Sequence, residues 1–320
     1  MIELTNLSKS FGQHIALQAV TLTIGEGECF GFIGPNGAGK STTMKILAGL
    51  LTPTTGSARV CGRSVITEPD AVRPLIGYMP DFLGVYEDLT VDEYLQFFAS
   101  AFLIPRAKRR STVDGVLQLV DLTDKRDAMV DSLSRGMQQR LGVARVLLHD
   151  PKVLLLDEPA SGLDPRARIE LRELILELRR MGKTLMVSSH ILSELAEMTT
   201  SLGIIEKGRM LFAGSVEEAF RKANIGDRIE VKLELEPGSD VRGHHLAMAE
   251  RLRRDERIAG AEFADGALLV DLAATAEGGG HSHHFLITAI LEAGGRIAAF
   301  TPRSVKLEDA FLRLTKGALN

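Results

Sequence analysis

The run Gly34-Pro35-Asn36-Gly37-Ala38-Gly39-Lys40-Ser41-Thr42 has the residue types and spacing to grip a row of phosphates. It fits G-x-x-x-x-G-K-[ST] at every fixed position. The glycines let the backbone curl until its N–H groups point into one concavity, where an anion can sit. Lys40 is long enough to reach the β- and γ-phosphates, and the Ser41 hydroxyl suits Mg²⁺. A second chemical centre, Asp157-Glu158, closes the apolar run Val153-Leu154-Leu155-Leu156. A carboxylate at the C-terminal end of a buried strand stands where parallel sheets place ligand groups. Asp157 is then expected to hold Mg²⁺ through its water shell, and Glu158 to accept the proton of a water attacking the γ-phosphate. Alone, the pair would read equally well as a helix-capping turn. Beside a phosphate loop it reads as the acidic half of a hydrolytic site.

Both centres need a sheet to carry them. Cys29-Phe30-Gly31-Phe32-Ile33 reads as a buried strand leading into the loop, and residues 41–51 have helical spacing after it, with Ile46, Leu47 and Leu50 on one side. A helix that begins at the loop adds its positive N-terminal end to the anion site. Residues 2–24 alternate as two strands around a turn at Gly12, and residues 58–61 and 76–79 read as further short strands. From about 90 to 148 the pattern is helical, with Leu95, Phe98 and Phe102 on one face. Residues 152–157 read as a strand whose stretch 153–156 is continuously apolar up to the acid, as a central strand covered on both faces should be. A long helix over 165–181 and a strand over 184–188 follow. Strands alternating with helices predict an α/β fold, a P-loop nucleotide-binding domain with a mostly parallel central sheet and a helical insert. After about residue 223 the texture changes. The order β-α-β-β-α-β over 228–300 predicts a small ferredoxin-like α+β domain, with a closing helix over 307–314. The expected division is 1–222, with its insert at about 90–148, and 223–320.

Composition bounds the rest. A chain of 320 residues, 45% of them apolar, has room for one large domain and a smaller one. A net charge of −4 gives no reason to expect nucleic acid as a partner. Cys29 and Cys61, the two cysteines, suggest a reducing compartment rather than a disulfide framework. The start Met1-Ile2-Glu3-Leu4-Thr5 is no signal peptide, and no apolar run approaches the ~20 residues that span a bilayer. The expectation is a protein in the cytoplasm that meets a membrane, if at all, from outside the lipid.

Between the two centres lies Leu133-Ser134-Arg135-Gly136-Met137-Gln138-Gln139-Arg140, and with it the first 220 or so residues resemble the ATP-binding subunits of ABC transporters. The markers occur in the family's order. Phe11 is the aromatic residue before Gly12. The phosphate loop, the segment at Leu133, Asp157-Glu158, the turn Ser161-Gly162-Leu163-Asp164 and His190 after Ser188-Ser189 follow. The tail, with Leu307-Glu308-Asp309-Ala310-Phe311, is similar to that of a bacterial exporter subtype. The resemblance implies ATP and Mg²⁺ as ligands, with Phe11 stacked on adenine. It implies that Ser134 and Gly136 bind the γ-phosphate of ATP held by a second subunit in a head-to-tail homodimer, with Asp164 at the dimer contact. His190 would touch the γ-phosphate and help hold the attacking water. A separate transmembrane permease would be the other partner, with this chain peripheral on the cytoplasmic face.

Two positions depart from the family pattern. Arg135 stands where glycine is usual and Met137 where glutamine is usual, although Ser134 and Gly136 remain. Asp81, in Tyr78-Met79-Pro80-Asp81, stands where a glutamine usually meets Mg²⁺ and the water and senses the permease. Asp81 reads as a Mg²⁺ ligand, as a residue of the permease interface, or as a turn cap. Arg106-Ala107-Lys108-Arg109-Arg110 reads as a solvated helix end or a contact to lipid headgroups. Residues 278–284, rich in glycine and histidine, read as a flexible loop rather than a metal site. The rival readings are a soluble ABC ATPase of translation or repair, and a regulatory module that holds ATP without turnover. A single phosphate loop, the lack of sustained heptads, and the presence of Glu158 argue against them in turn.

Overall fold

The structure, a computed structural model, describes residues 1–82, 84, 88–191, 195, 198–216, 218–219, 228–235, 240–264, 266–273 and 283–303. The chain divides into two compact units, residues 1–214 and 215–320.

The first unit opens with β1 (Ile2–Phe11) and β2 (His14–Ile24), an antiparallel hairpin turned at Gly12, whose φ is 58°. The alternation seen in the sequence buries Ile2, Leu4 and Leu7 from β1 and Leu22 and Ile24 from β2. These strands do not join the central sheet. With β4 (Thr55–Val60) and β5 (Arg63–Ser64) they form a sheet of their own, in the order β2-β1-β4-β5.

The central sheet carries the chemistry. It contains β3 (Cys29–Ile33), β6 (Ile76–Met79), β7 (Val153–Leu156), β8 (Thr184–Ser189), β9 (Ser201–Glu206) and β10 (Arg209–Ser215), in the order β10-β9-β3-β8-β7-β6. β3 lies parallel to β8 and β9, and β7 parallel to β6 and β8. Every residue of β3, β7 and β8 is buried, which explains their unbroken apolar texture. Crossovers in a parallel sheet bring the C-terminal ends of its strands to one edge. The phosphate loop after β3, Asp81 after β6, Asp157-Glu158 after β7 and His190 after β8 therefore all emerge together.

The helices of this unit are α1 (Lys40–Leu47), the short α2 (Pro69–Val72), α3 (Val91–Ala101), α4 (Arg106–Leu119), α5 (Arg135–Leu147) and α6 (Pro165–Arg180); α5 packs on β6, and α3 and α4 pack on one another and on α5. Met44, Ile46 and Leu47 of α1 pack with Phe30 and Phe32 of β3 and Leu155 of β7 in one buried cluster. Large side chains of this kind each contribute roughly 1.5–3 kcal/mol on full burial. α3 starts with a capping box. The Thr90 hydroxyl accepts the Glu93 N–H at 3.3 Å, and the Glu93 carboxylate accepts the Thr90 N–H at 2.9 Å.

The second unit runs β11 (Arg228–Leu233), α7 (Val241–Leu252), β12 (Ile258–Ala264), β13 (Ala267–Leu272), α8 (His284–Glu292) and β14 (Ile297–Arg303). Its sheet has the order β12-β13-β11-β14 with every pairing antiparallel. Ile229, Val231, Leu268 and Val270 from the sheet meet Met248, Leu252, Leu286 and Ile290 from the helices. The expected closing helix over 307–314, residue 223 and residues 278–282 lie outside the described residues.

Candidate functional site

The phosphate loop has the shape its glycines permit. Gly37 and Gly39 sit at φ 79° and 113°. A Cβ on Gly39 would lie 2.6 Å from Leu17 Cδ2 and 2.9 Å from the Ala16 carbonyl, and one on Gly34 would lie 2.2 Å from the Ile205 carbonyl. A side chain is excluded at Gly39 by both backbone angle and space, at Gly34 by space and at Gly37 by angle. Pro35, Asn36 and Gly37 are exposed, Ser41 and Thr42 half-buried, and Ala38 and Lys40 buried. Gly39 is the N-cap of α1, which has no acidic residue in its first turn. Nothing anionic within the helix itself competes for its positive end.

Lys40 turns back over the loop. Its Nζ donates to the Gly34 carbonyl at 2.6 Å and lies 3.1 Å from Glu158 Oε1, with side-chain exposures of 5% and 11%. Glu158 Oε2 in turn meets His190 Nδ1 at 2.8 Å. The carboxylate read as the base is therefore held between two groups read as phosphate contacts. Glu158 also has φ 50°, the left-handed region that few residues other than glycine adopt.

Asp157, 2% exposed, is fixed by a residue the sequence reading left without a role. Ser188, on β8, donates its hydroxyl to Asp157 Oδ1 at 2.6 Å and accepts the Glu158 N–H at 2.9 Å. One hydroxyl thus orients both members of the acidic pair. Tyr78, on β6, adds a buried hydroxyl that has no hydrogen-bond partner among the described residues. Burial, followed by the charges of Asp157 and Asp81, pushes its pKa well up. The signal for Tyr78 was its alternation on a strand beside the acids; for Ser188 it was the β7–β8 pairing, which sequence alone does not display.

Asp81 belongs to the same end of the sheet. Partial burial, then Asp157, then Glu158, raise its carboxyl above the usual carboxylate range, while Arg135 and His190 pull it down. Oxygen donors of this kind, Ser41, Asp157 and Asp81, suit a hard divalent cation. Among the described residues no group of three His, Cys, Asp or Glu side chains is assembled to hold a metal unaided. Mg²⁺ is usually bound by one or two carboxylates together with substrate phosphates and water.

The remaining predicted residues lie elsewhere. Phe11 ends β1 with its ring 49% exposed and Lys9 Nζ 4.9 Å from the ring centre. Ser134 caps α5, its hydroxyl accepting the Met137 N–H at 3.3 Å. Asp164 caps α6 and accepts the Ala167 N–H at 2.9 Å. A Cβ on Gly136 would come within 2.7 Å of Ala167 Cβ, so the two helix starts abut there. Ser134, Gly136 and Asp164 line a groove of about 510 Å³, and no phosphate-loop residue lines it.

Comparison with known proteins agrees with the geometry. The family profile described as ABC transporter matches residues 17–161. The chain is 33% identical over 315 residues to a Nod factor export ATP-binding protein I of Ralstonia nicotianae, covering 98% of this chain and 94% of that one. A protein of the same name from Paraburkholderia xenovorans is 38% identical over 231 residues, covering 72% of this chain and 76% of that one. Among solved structures, an ATP binding subunit of an ABC transporter aligns with a TM-score of 0.63 at 30% identity, over 69% of this chain and 92% of the other. The cbiO1 protein of Clostridium perfringens, part of the ABC transporter complex cbiONQ, aligns with a TM-score of 0.62 at 26% identity, over 70% and 94%. A dimeric ATP-binding cassette in a post-hydrolysis state with ADP and Pi aligns with a TM-score of 0.60 at 25% identity, over 67% and 98%.

Proposed function

This chain belongs to the ABC transporter family of ATP-binding subunits, and from that membership we propose that it hydrolyses ATP to power export through a separate membrane permease, working as one half of a dimer that closes on two ATP molecules. The observation that carries the catalytic part is the placement of Glu158. It directly follows the buried Asp157 and is held between Lys40 and His190 at 3.1 and 2.8 Å.

In this reading the phosphate loop and the start of α1 take the triphosphate, and Lys40 leaves Glu158 for the β- and γ-phosphates. Ser41, Asp157 and Asp81 would hold Mg²⁺, which supplies charge neutralisation on the phosphate oxygens. Glu158, released from Lys40, accepts the proton of the attacking water, and His190 steadies that water or the γ-phosphate. Phe11 offers its exposed ring to adenine. The groove at Ser134, Gly136 and Asp164 stands apart from the phosphate loop, which supports its use on ATP held by a second copy.

Export and a permease come from the relatives. The curated ones are named export ATP-binding proteins, and cbiO1 is part of a transporter complex. No helix among the described residues is long and apolar enough to cross a membrane; the peripheral position beside a permease, on the cytoplasmic face, is proposed from the relatives. The second unit is proposed to serve assembly or regulation. The test is light scattering after gel filtration of Glu158→Gln with Mg-ATP, alongside phosphate release by the wild type. A dimer mass that needs ATP is expected. A variant that binds ATP but stays monomeric removes the dimer mechanism, and a wild type without phosphate release, alone or with its permease, removes the ATPase.

A further inference from the structure

We infer that the tip joining α3 to α4 is a lipid-contact surface: Leu103 enters the interface of an anionic bilayer while Arg106, Lys108 and Arg110 hold its headgroups. None of these residues belongs to the ATP site, so lipid contact and hydrolysis can be tested apart.

α3 ends in a Schellman turn. The Leu103 N–H donates to the Ser100 carbonyl and the Ile104 N–H to the Ala99 carbonyl, both at 3.0 Å. Such a turn needs a left-handed residue after its C-cap, here Phe102, and glycine usually supplies it. In this chain Leu103 does, at φ 60°. The other non-glycine residues at positive φ among the described residues are Asn6, Ala19, Cys61, Asp121, Asp150, Glu158 and Lys207, so Leu103 is the one large apolar side chain in that set. Its Cβ crowds its own backbone there, a strain that glycine avoids. The fold gives little in return, for the side chain is 86% exposed. A leucine both strained and solvated does not serve packing, and its use lies outside the chain.

The charge around the tip indicates what it meets. Residues 94–113 contain Arg106, Lys108, Arg109 and Arg110 and no Asp or Glu, in a chain of net charge −4. Arg109 is tied to the tip itself, its Nε donating to the Ile104 carbonyl at 2.9 Å. Arg106, Lys108 and Arg110 are exposed. The first turn of α4 has no acidic residue, so the positive end of the helix adds to theirs. The flanking acids are engaged elsewhere. Glu93 accepts the Thr90 N–H at 2.9 Å, and Asp114 pairs with Arg126. Asp150, next to the His149 that packs on Phe102, pairs with Lys183. An acidic peptide would answer the cations and leave Leu103 in water. An anionic bilayer answers both. Its phosphates take the cations, whose aliphatic stems can lie along the acyl boundary, and Leu103 leaves water.

The test is flotation of the full chain with vesicles of phosphatidylglycerol and phosphatidylcholine in equal parts, against vesicles of phosphatidylcholine alone. Binding to the anionic vesicles, weakened by high salt, is expected. Arg106→Gln with Arg110→Gln should weaken it roughly 25-fold, about 5-fold for each charge. Leu103→Gly should weaken it roughly 5-fold or more. The same variant should raise the thermal midpoint by about 2–4 °C, because the left-handed strain leaves with the side chain. Equal binding to both kinds of vesicle, or to neither, overturns the inference. A Leu103→Gly that melts lower than wild type shows a packing role and overturns it too. Binding that falls with the charges but not with Leu103→Gly points to an occupant held by charge alone, such as an acidic protein segment, and likewise overturns the lipid surface.

Discussion

Replacing Glu158 with glutamine should move turnover and affinity in opposite directions. The Lys40 Nζ to Glu158 Oε1 distance is 3.1 Å, with side chains 5% and 11% exposed. At an effective dielectric of about 20, opposite unit charges at that range attract by about 5 kcal/mol, an upper bound before desolvation. Hydrogen bonds to charged groups are worth about 1.5–3 kcal/mol net. ATP must take Lys40 from Glu158, so part of that attraction opposes binding. The carboxylate also repels the γ-phosphate. Glutamine keeps the shape and can still hydrogen-bond His190, but it lacks the charge. ATP affinity should rise by about 1–2 kcal/mol, roughly 5–30-fold. Loss of a general base should lower kcat by about 10²–10⁴-fold, equivalent to about 2.7–5.4 kcal/mol on the barrier. Calorimetry with Mg-ATP and a phosphate-release assay on the same preparation read both. Turnover within a few-fold of wild type would refute the base. Slow turnover with unchanged or weaker affinity would refute the idea that Glu158 guards Lys40.

Other outcomes follow from the same contacts. Lys40→Ala should weaken nucleotide binding by on the order of 2–3 kcal/mol, the size of a charge-assisted contact; unchanged calorimetry would mean that the loop does not cradle phosphate. Ser188→Ala removes the partner of both Asp157 Oδ1 and the Glu158 N–H. It should lower stability by about 1–3 kcal/mol and raise the Mg²⁺ needed for hydrolysis, and an unshifted Mg²⁺ curve would deny Ser188 its orienting part. His149, packed on Phe102 at 4.3 Å and bonded to the Ile76 carbonyl at 3.0 Å, has its pKa lowered chiefly by burial. The unfolded chain then binds the proton more tightly, so the contribution of His149 to stability is full above about pH 6.5 and is lost as pH falls below it. Thermal midpoints at pH 7.5 and 5.5 should fall less steeply for His149→Gln than for wild type; parallel falls would count against this.

What the sequence displayed and what it hid divide by the range of the interaction. The phosphate loop was legible because its glycine requirements at Gly37 and Gly39 are local left-handed backbone angles within one short contiguous pattern; the space that Gly34 leaves for the Ile205 carbonyl is long-range but falls inside that same pattern. The strands at 29–33 and 153–156 were legible because burial on both faces removes polar residues from the string itself. The order β-α-β-β-α-β of the second unit was legible from alternation, with the strands observed at 228–233, 258–264, 267–272 and 297–303. β9 and β10 were not read, although Glu206-Lys207-Gly208-Arg209, with Lys207 and Gly208 both at positive φ, is a turn signal between apolar runs. Nor was the separate antiparallel sheet of β1, β2, β4 and β5, because its β1–β4 pairing joins residues as far apart as Ile2 and Val60. Ser188 was hidden for the same reason, acting on Asp157 across 31 positions.

The two neighbouring acids show why the backbone at this point is unusual. Along a regular strand consecutive side chains face opposite ways, which would send either Asp157 or Glu158 away from the nucleotide. The left-handed turn at Glu158, φ 50°, breaks that alternation. Such a conformation costs a non-glycine residue of order 1–3 kcal/mol and persists only where its surroundings hold it. Three contacts do so: the N–H to Ser188 Oγ at 2.9 Å, the carbonyl accepting the Ser161 N–H at 3.1 Å, and the carboxylate between Lys40 and His190. The first two are independent of nucleotide. In the proposed reading the third is not, because Lys40 and His190 are the groups that a triphosphate would draw to itself. In that reading, arrival of ATP would remove the side-chain anchors of Glu158 while leaving its backbone fixed. A base restrained in this way would become free to take a proton only when a phosphate is present to be attacked.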